Sequence, residues 1–266
     1  MTAGAQTWHY GLVARWWAEF NVDGAEIEFF RPYVEAGQPA LDAACGTGRL
    51  LVPYLHAGLD VDGSDISPDM LAHARERAVR EGLDPPTLYA QAMHELDLSR
   101  RYRTIFVCGG FGLGGVREHD VEGLRRIYTH LEPGGTLVLD NEVPYAGGDW
   151  PYWSRSDSQA LPRPWRDHGD RRTTTDGSDI ELRTRLVDVD PLEQRVTMDM
   201  RALLWRGDEL LAEEESSIAM TVYFTHEIVL MLERVGLVDV QLRAGYEDRA
   251  PTRDDDFVVF VARKPS

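Results

Sequence analysis

Apolar residues change their spacing along the chain, and each change marks a different kind of element. Leu12, Val13, Trp16, Trp17 and Phe20 share one face of a helical period, and Ile27, Phe30 and Val34 repeat that spacing, so two helices are predicted before residue 37. From Ala40 short apolar runs take over. PALDA, DVDGSD, TLYAQ, TIFVC and TLVLD read as strands, with helices over 49–56, 68–80 and 121–131 among them. Strands alternating with helices predict right-handed crossovers and an α/β fold: a doubly wound, mostly parallel sheet whose ligand lies beyond the carboxyl ends of the strands.

After Asp140 the pattern breaks. Residues 144–179 hold four of the 14 prolines and the aromatics Tyr145, Trp150, Tyr152, Trp153 and Trp165. A connection that long and irregular is expected to be a lid or binding loop. ELRTRLVDV, RVTMDMRALLW and SSIAMTVYF then alternate with period two, joined by DPLEQ and RGDEL, which predicts an antiparallel meander. A helix over 226–235, capped by Thr225 and ended by Gly236, leads to the strands DVQLRAG and FVVFVA. The organisation expected is N-terminal cap helices at 1–36, a ligand-binding core at 37–142, a lid loop and antiparallel insertion at 143–222, and a helix and strands at 223–266 that complete the core sheet.

Composition narrows the partners. The 266 residues carry 28 Lys and Arg against 45 Asp and Glu, a net charge of −17. Such a surface repels phosphate backbones and anionic membranes, so neither nucleic acid nor a membrane is an expected partner. Two cysteines, Cys45 and Cys108, outline no disulfide framework and no zinc site, and no histidine pair has metal-ligand spacing, so no metal is expected. Without a secretory leader pattern or an apolar run of spanning length, a cytoplasmic protein is expected.

The chemistry concentrates in Leu41-Asp42-Ala43-Ala44-Cys45-Gly46-Thr47-Gly48-Arg49, between the first strand and its helix. Small residues there let the backbone approach a ligand, and the following helix N-terminus offers free amides. Asp65 ends the second strand, 19 residues beyond Gly46, where a carboxylate can accept both hydroxyls of a ribose. An adenosine-type ligand is implied. The dinucleotide pattern G-x-G-x-x-G fails in either register, at Leu51 or at Arg49, and G-x-x-x-x-G-K-[ST] is absent.

LDAACGTGR, VDGSDISPDML and HLEPGGTLVLD together resemble the class I S-adenosylmethionine-dependent methyltransferases over residues 38–142. Ala44 stands where that family usually has the first glycine of its opening motif. The resemblance implies a Rossmann-like methyltransferase fold and S-adenosyl-L-methionine as cofactor. It implies that Ala44, Cys45 and Gly46 line the methionine part by their backbone, with Arg49 beside them. Asp65 would hold the ribose, with Ile66 and Met70 against the adenine. Ala92 occupies a position where the family often has an adenine-reading Asp, so that contact would pass to Met93 or His94. Cys108 falls beside the sulfonium. Ile66 and Met70 as ordinary core, and Cys108 as a small buried hydrophobe, remain open alternatives.

No N-P-P-Y-like motif follows the fourth strand; Cys108-Gly109-Gly110-Phe111-Gly112 stands there, and a small-molecule substrate is expected. The methyl acceptor is nitrogen, oxygen or carbon, in a reaction of bacterial specialised metabolism; a noncatalytic cofactor-binding or regulatory protein is the alternative. Glu142, at the end of the fifth strand, and Tyr10, on the first helix, are the candidate catalytic residues. Trp150, Tyr152, Trp153 and Trp165 either enclose an aromatic or cationic substrate or pack the lid onto the body. His9 and His94 lie in segments expected near the site.

Overall fold

The computed structural model describes residues 7–114, 116–146, 150–154 and 160–266. Two helices, α1 (Gly11–Phe20) and α2 (Ala25–Ala36), precede β1 (Ala40–Ala43), α3 (Leu51–His56), β2 (Val61–Asp65), α4 (Pro68–Arg80) and β3 (Leu88–Ala90). Then come β4 (Tyr102–Val107), α5 (Arg117–His130) and β5 (Leu131–Glu142). Four strands follow, β6 (Asp170–Thr173), β7 (Asp179–Asp190), β8 (Arg195–Arg206) and β9 (Glu209–Thr221). The chain closes with α6 (Thr225–Arg234), β10 (Val238–Ala244) and β11 (Phe257–Arg263).

The first sheet runs β10-β11-β5-β4-β1-β2-β3, with β11 antiparallel to both its neighbours and the other pairings parallel. Chain order reverses between β1 and β4, and a crevice opens at their carboxyl ends. Both faces are covered, and alternate residues of each central strand sort between them. Ile105, Val107, Leu137, Leu139 and Phe260 meet Leu124 and Ile127 of α5 and Ile228 and Leu232 of α6. Phe106, Val138 and Val259 turn the other way, onto Phe30 and Val34 of α2 and Leu51 and Tyr54 of α3.

The two N-terminal helices part company. α2 belongs to the helical layer of the sheet, whereas α1 lies on the second sheet, with Leu12 and Val13 packed on Met200 and Ala202 of β8. Two carboxylates from different layers hold the first turn of α1: Asp69 of α4 accepts from the Gly11 amide at 2.9 Å and Glu214 of β9 from the Leu12 amide at 2.8 Å. Acids at a helix N-terminus satisfy amides that have no partner within the helix and complement its dipole.

The second sheet is antiparallel in the order β6-β7-β8-β9, the meander with one extra strand. β6 lies in the stretch expected to be irregular, because Gly169 to Thr173 run alongside β7 after the last proline. β9 starts at Glu209, so the expected turn RGDEL is a two-residue hairpin at Gly207 and Asp208. α5 begins at Arg117, four residues before the predicted start, and Thr225 is the first residue of α6 rather than its cap. The Phe224 amide is met instead by the Glu227 carboxylate at 2.9 Å.

Candidate functional site

A cavity of about 370 Å³ lies at the carboxyl ends of the parallel strands, within the range of small-molecule sites. Its floor is the turn after β1. The amides of Ala44 and Cys45 both donate to the Ser64 carbonyl at 2.8 Å, which ties the turn to β2. Ala44 has a φ of +71°, in the region where glycine is preferred. Its methyl group is accommodated by Gly110 of the loop after β4, where an added Cβ would sit 2.6 Å from the Ala44 Cβ. The departure from the usual glycine at 44 is thus matched by a glycine across the cavity floor. The Cys45 thiol turns away from the turn toward β2, since a Cβ at Gly63 would stand 2.8 Å from its Sγ.

Asp65 spans the turn. Its Oδ2 accepts from the Gly46 amide at 3.0 Å and its Oδ1 from the Ser67 amide at 2.8 Å. Burial pushes its carboxyl up, opposed by the Ser67, Gly46 and Ile66 amides. Each oxygen keeps lone-pair capacity for a further donor. Behind it lies Asp42, buried and pushed well up by burial and by the charge of Asp65. Ser67 caps α4 by accepting from the Met70 amide at 3.2 Å, which sets Met70 into the cavity wall.

On the β3 side Met93 and His94 form a short 3-10 turn against α5. The imidazoles of His94 and His119 stack with centroids 3.8 Å apart and planes at 10°. Burial, and then the neighbouring His119, lower the pKa of His94. On the β4 side the Gly109 amide donates to Asp140 at 2.6 Å, and the Tyr246 hydroxyl donates to the same carboxylate at 2.7 Å. Arg49 is ion-paired with Glu26 of α2 and reaches the Cys108 Sγ at 3.6 Å. Burial pushes the Cys108 thiol up, and the charge of Asp140 adds to it, so the group stays protonated.

The cover is made by two straps. The residues entering α1 reach over the cavity, where the Ser67 hydroxyl donates to the His9 carbonyl at 2.5 Å. Burial lowers His9 to about 4, so it is neutral at ordinary pH. The second strap is the loop after β4. It bonds to β9 through Thr221 N–H to the Gly112 carbonyl at 2.8 Å and Gly114 N–H to the Ala219 carbonyl at 3.1 Å. Gly112 is required there: its φ is +81°, and a Cβ would stand 2.5 Å from the Thr221 oxygen.

All ten residues expected at the cofactor, Ala44, Cys45, Gly46, Arg49, Asp65, Ile66, Met70, Met93, His94 and Cys108, line this cavity. The two catalytic candidates do not. Tyr10 is 44% exposed just before α1, and Glu142 is exposed where β5 runs past the cavity rim alongside Phe257. The turn into α1 carries Thr7, Trp8 and His9 inward, and Trp17 rather than Trp16 faces the cavity, so Tyr10 is left outside.

The lid aromatics pack the cover instead of enclosing the cavity. Tyr152 and Trp153 rest on Leu186, Val189 and Val196, and Trp165 stacks with Arg185 and Arg201, each 4.5 Å from its ring. Trp150 meets Tyr145 and Phe224. The remaining lid positions, 147–149 and 155–159, and Gly115 of the glycine cluster lie outside the described residues. Sequence reasoning missed Asp120, His119 and Phe111 in the wall. A helix start placed at residue 121 left Asp120 in a loop; an acid in the first turn of a helix that follows β4 was the available signal.

The residues fit an adenosine-type cofactor. A partly buried carboxylate at the end of β2, a turn with no bulk over Gly46 beyond the Met70 methyl at 3.2 Å, and an apolar wall of Ile66, Met70 and Met93 converge on one space. Comparison with known proteins agrees. Residues 40–135 match the family described as methyltransferase domain. A dTDP-3-amino-3,4,6-trideoxy-alpha-D-glucopyranose N,N-dimethyltransferase of Streptomyces venezuelae is 33% identical over 124 residues, 46% of this chain and 50% of that protein. The matched stretch therefore spans half the length of that relative. The structure of an S-adenosylmethionine-dependent methyltransferase from Clostridium acetobutylicum superposes with a TM-score of 0.72 at 16% identity, covering 95% of this chain and 97% of that one. S-adenosylmethionine-bound CalS10, an amino pentose methyltransferase from Micromonospora echinaspora, gives 0.61 at 19% identity over 97% and 98%. These structural likenesses show the Rossmann-like fold.

Proposed function

We propose that the chain, whose residues 40–135 match a methyltransferase domain, is a class I S-adenosylmethionine-dependent methyltransferase that methylates a small molecule within the cavity at the ends of β1, β2 and β4. S-adenosyl-L-methionine is the cofactor. The observation that carries the reading is the convergence of all ten expected cofactor residues on one cavity. When bound, the cofactor supplies a methyl group activated by a positively charged sulfur.

This chain's residues then have separable tasks. Asp65 accepts the ribose hydroxyls, and Ile66, Met70 and Met93 flank the adenine. The backbone of Ala44, Cys45 and Gly46, with Arg49 and Cys108, borders the methionine part. Thr7 to His9 and Trp17 exclude water from above. Methyl transfer from sulfur is an in-line displacement, and holding the nucleophile in line supplies on the order of 7 to 11 kcal/mol without a dedicated base. Nitrogen is the favoured acceptor over oxygen and carbon, because the Streptomyces relative and CalS10 are named for amino sugar substrates. That chemistry, and the acidic charge of the chain, support an amine-bearing small molecule of bacterial specialised metabolism.

The test is incubation with S-adenosylmethionine and a panel of amino sugars, amines, phenols and indoles, followed by mass spectrometry. Addition of a methyl group with release of S-adenosylhomocysteine is expected. Tight S-adenosylhomocysteine binding with no product from any class favours a noncatalytic cofactor-binding protein. Thermal stabilisation by NAD and none by S-adenosylhomocysteine refutes the cofactor itself.

A further inference from the structure

One carboxyl group of the cavity wall has no part in holding the turn or the cofactor. Asp120, in the first turn of α5, is 7% exposed and lines the cavity. Its Oδ2 accepts from the Tyr223 hydroxyl at 2.6 Å. Tyr223 is fully buried; its ring lies 5.4 Å from Phe111, and its carbonyl accepts from the Asn141 side chain at 3.1 Å. The pair therefore stands beside the ends of β4 and β5, whereas Asp65 ends β2 on the far side of β1.

A buried carboxylate is costly unless a cation meets it. Among the described residues no ion pair reaches Asp120. Arg117, on the same helix, directs its guanidinium to Gln194 at 2.7 Å, Glu227 at 3.7 Å and the Tyr223 ring at 4.8 Å. His119 stacks on His94. Burial pushes Asp120 up to about 6, against the hydrogen bonds of Tyr223 and Thr221 and the weaker pull of Arg117 and His119. Its hydrogen bonds thus come from neutral hydroxyls, and among the described residues no cation is in direct contact with this enclosed carboxyl group.

We propose that Asp120 is the counter-charge for an ammonium group of the substrate, positioned by Tyr223, and that it makes the cavity select amines over alcohols of the same shape; where that nitrogen is the methyl acceptor, its proton passes to the Asp120 carboxylate, which frees the lone pair for attack on the methyl carbon, and Asp120 then returns the proton to solvent. The proposal rests on the cavity's being the methyl-transfer site, and it assigns the substrate class within it. Asp120 touches the substrate; Tyr223 acts through Asp120 and is a positioning residue.

Cyclohexylamine and cyclohexanol are suitable probes, equal in shape and different in charge. Both are titrated by NMR against protein saturated with S-adenosylhomocysteine, which covers the other cavity acids, Asp42 and Asp65. The amine should bind at least about tenfold more tightly, a difference of about 1.4 kcal/mol. Asp120→Asn keeps the acceptor for Tyr223 and should bring the ratio to about one, with S-adenosylhomocysteine affinity unchanged. Equal binding of the two probes by the unaltered protein, or a preference that survives Asp120→Asn, overturns the proposal. Should Asp120→Asn not fold, Tyr223→Phe serves. Losing a donor to the carboxylate raises its pKa, so the pH at which amine preference disappears must rise, and an unmoved midpoint overturns the assignment. If S-adenosylhomocysteine does not bind at all, the proposed function fails, while the probe preference measured without it still reports on Asp120.

Discussion

The floor and the cover of the cavity are built in different ways. The floor consists of short turns at strand ends, fixed by bonds between neighbouring strands: Ser64 to Ala44 and Cys45, Asp65 to Gly46 and Ser67, and Asp140 of β5 to Gly109. The cover is assembled from residues far apart in the chain. Glu214 meets Leu12 across 202 positions, and Tyr223 meets Asp120 across 103. A turn whose ligand contacts come from its own backbone leaves its signature in consecutive residues. A wall made by docking two layers does not, because which side chain faces inward depends on how the layers meet.

The same contrast appears in the response to acid. His9 of the cover has its pKa lowered by burial, so the folded cover binds fewer protons than the unfolded chain below pH 6.5. Its contribution is complete above pH 6.5 and is lost as the pH falls to about 4, up to roughly 3 kcal/mol. Asp65 and Asp140 of the floor are shifted upward, so their protonation in acid favours the folded state. The cover should therefore loosen first. Tryptophan fluorescence from Trp8 and Trp17 should change before far-ultraviolet circular dichroism of the core, and His9→Gln should flatten that early transition.

Asp65→Ala attacks the floor directly. It removes two bonds that shape the turn and the carboxylate proposed to accept the ribose, and calorimetry should find S-adenosylhomocysteine binding weaker by about 1.5 to 3 kcal/mol. Unchanged affinity would remove Asp65 from the cofactor site. Gly110→Ala drives two methyl groups together at 2.6 Å and should cost about 1 to 3 kcal/mol in denaturant unfolding. Ala44→Gly should restore most of that loss in the double variant, since it deletes the colliding methyl; independent effects of the two changes would disprove the pairing.

Smaller effects are expected in the cover. Glu214→Gln weakens one of the two anchors on α1, a change of about 0.3 to 1 kcal/mol. Hydrogen exchange should quicken at Gly11 to Ala14 while the amides of β4 and β5 hold their protection. Smallest of all, Glu142→Gln should leave turnover within about twofold, because Glu142 lies outside the cavity wall; a rate lowered about a hundredfold with cofactor affinity intact would return it to the chemistry.

The central sheet was legible because its periodicity and its turns agree. β1, β2, β3, β4 and β5 each contain or overlap a predicted strand, and α4 spans the predicted Pro68 to Arg80. Ser67, Pro68 and Asp69 announce that helix start through cap, fixed φ and charge. α5 carries no comparable cap, and its start was displaced by four residues, which concealed Asp120. Tyr10 and Glu142 lie near the site along the chain, yet neither is among the residues that line the cavity. Trp165 illustrates the same limit: an aromatic in a proline-rich loop suits a substrate wall or a packing contact equally, and only the register that brings Arg185 and Arg201 beneath it decides for packing.

The most direct test is a crystal structure of the protein with S-adenosylhomocysteine. The ribose hydroxyls should lie within hydrogen-bond distance of Asp65, with the adenine between Ile66 and Met93 and the sulfur facing the space bounded by Phe111 and Asp120. A ligand bound elsewhere, or an adenosine turned away from Asp65, contradicts the account.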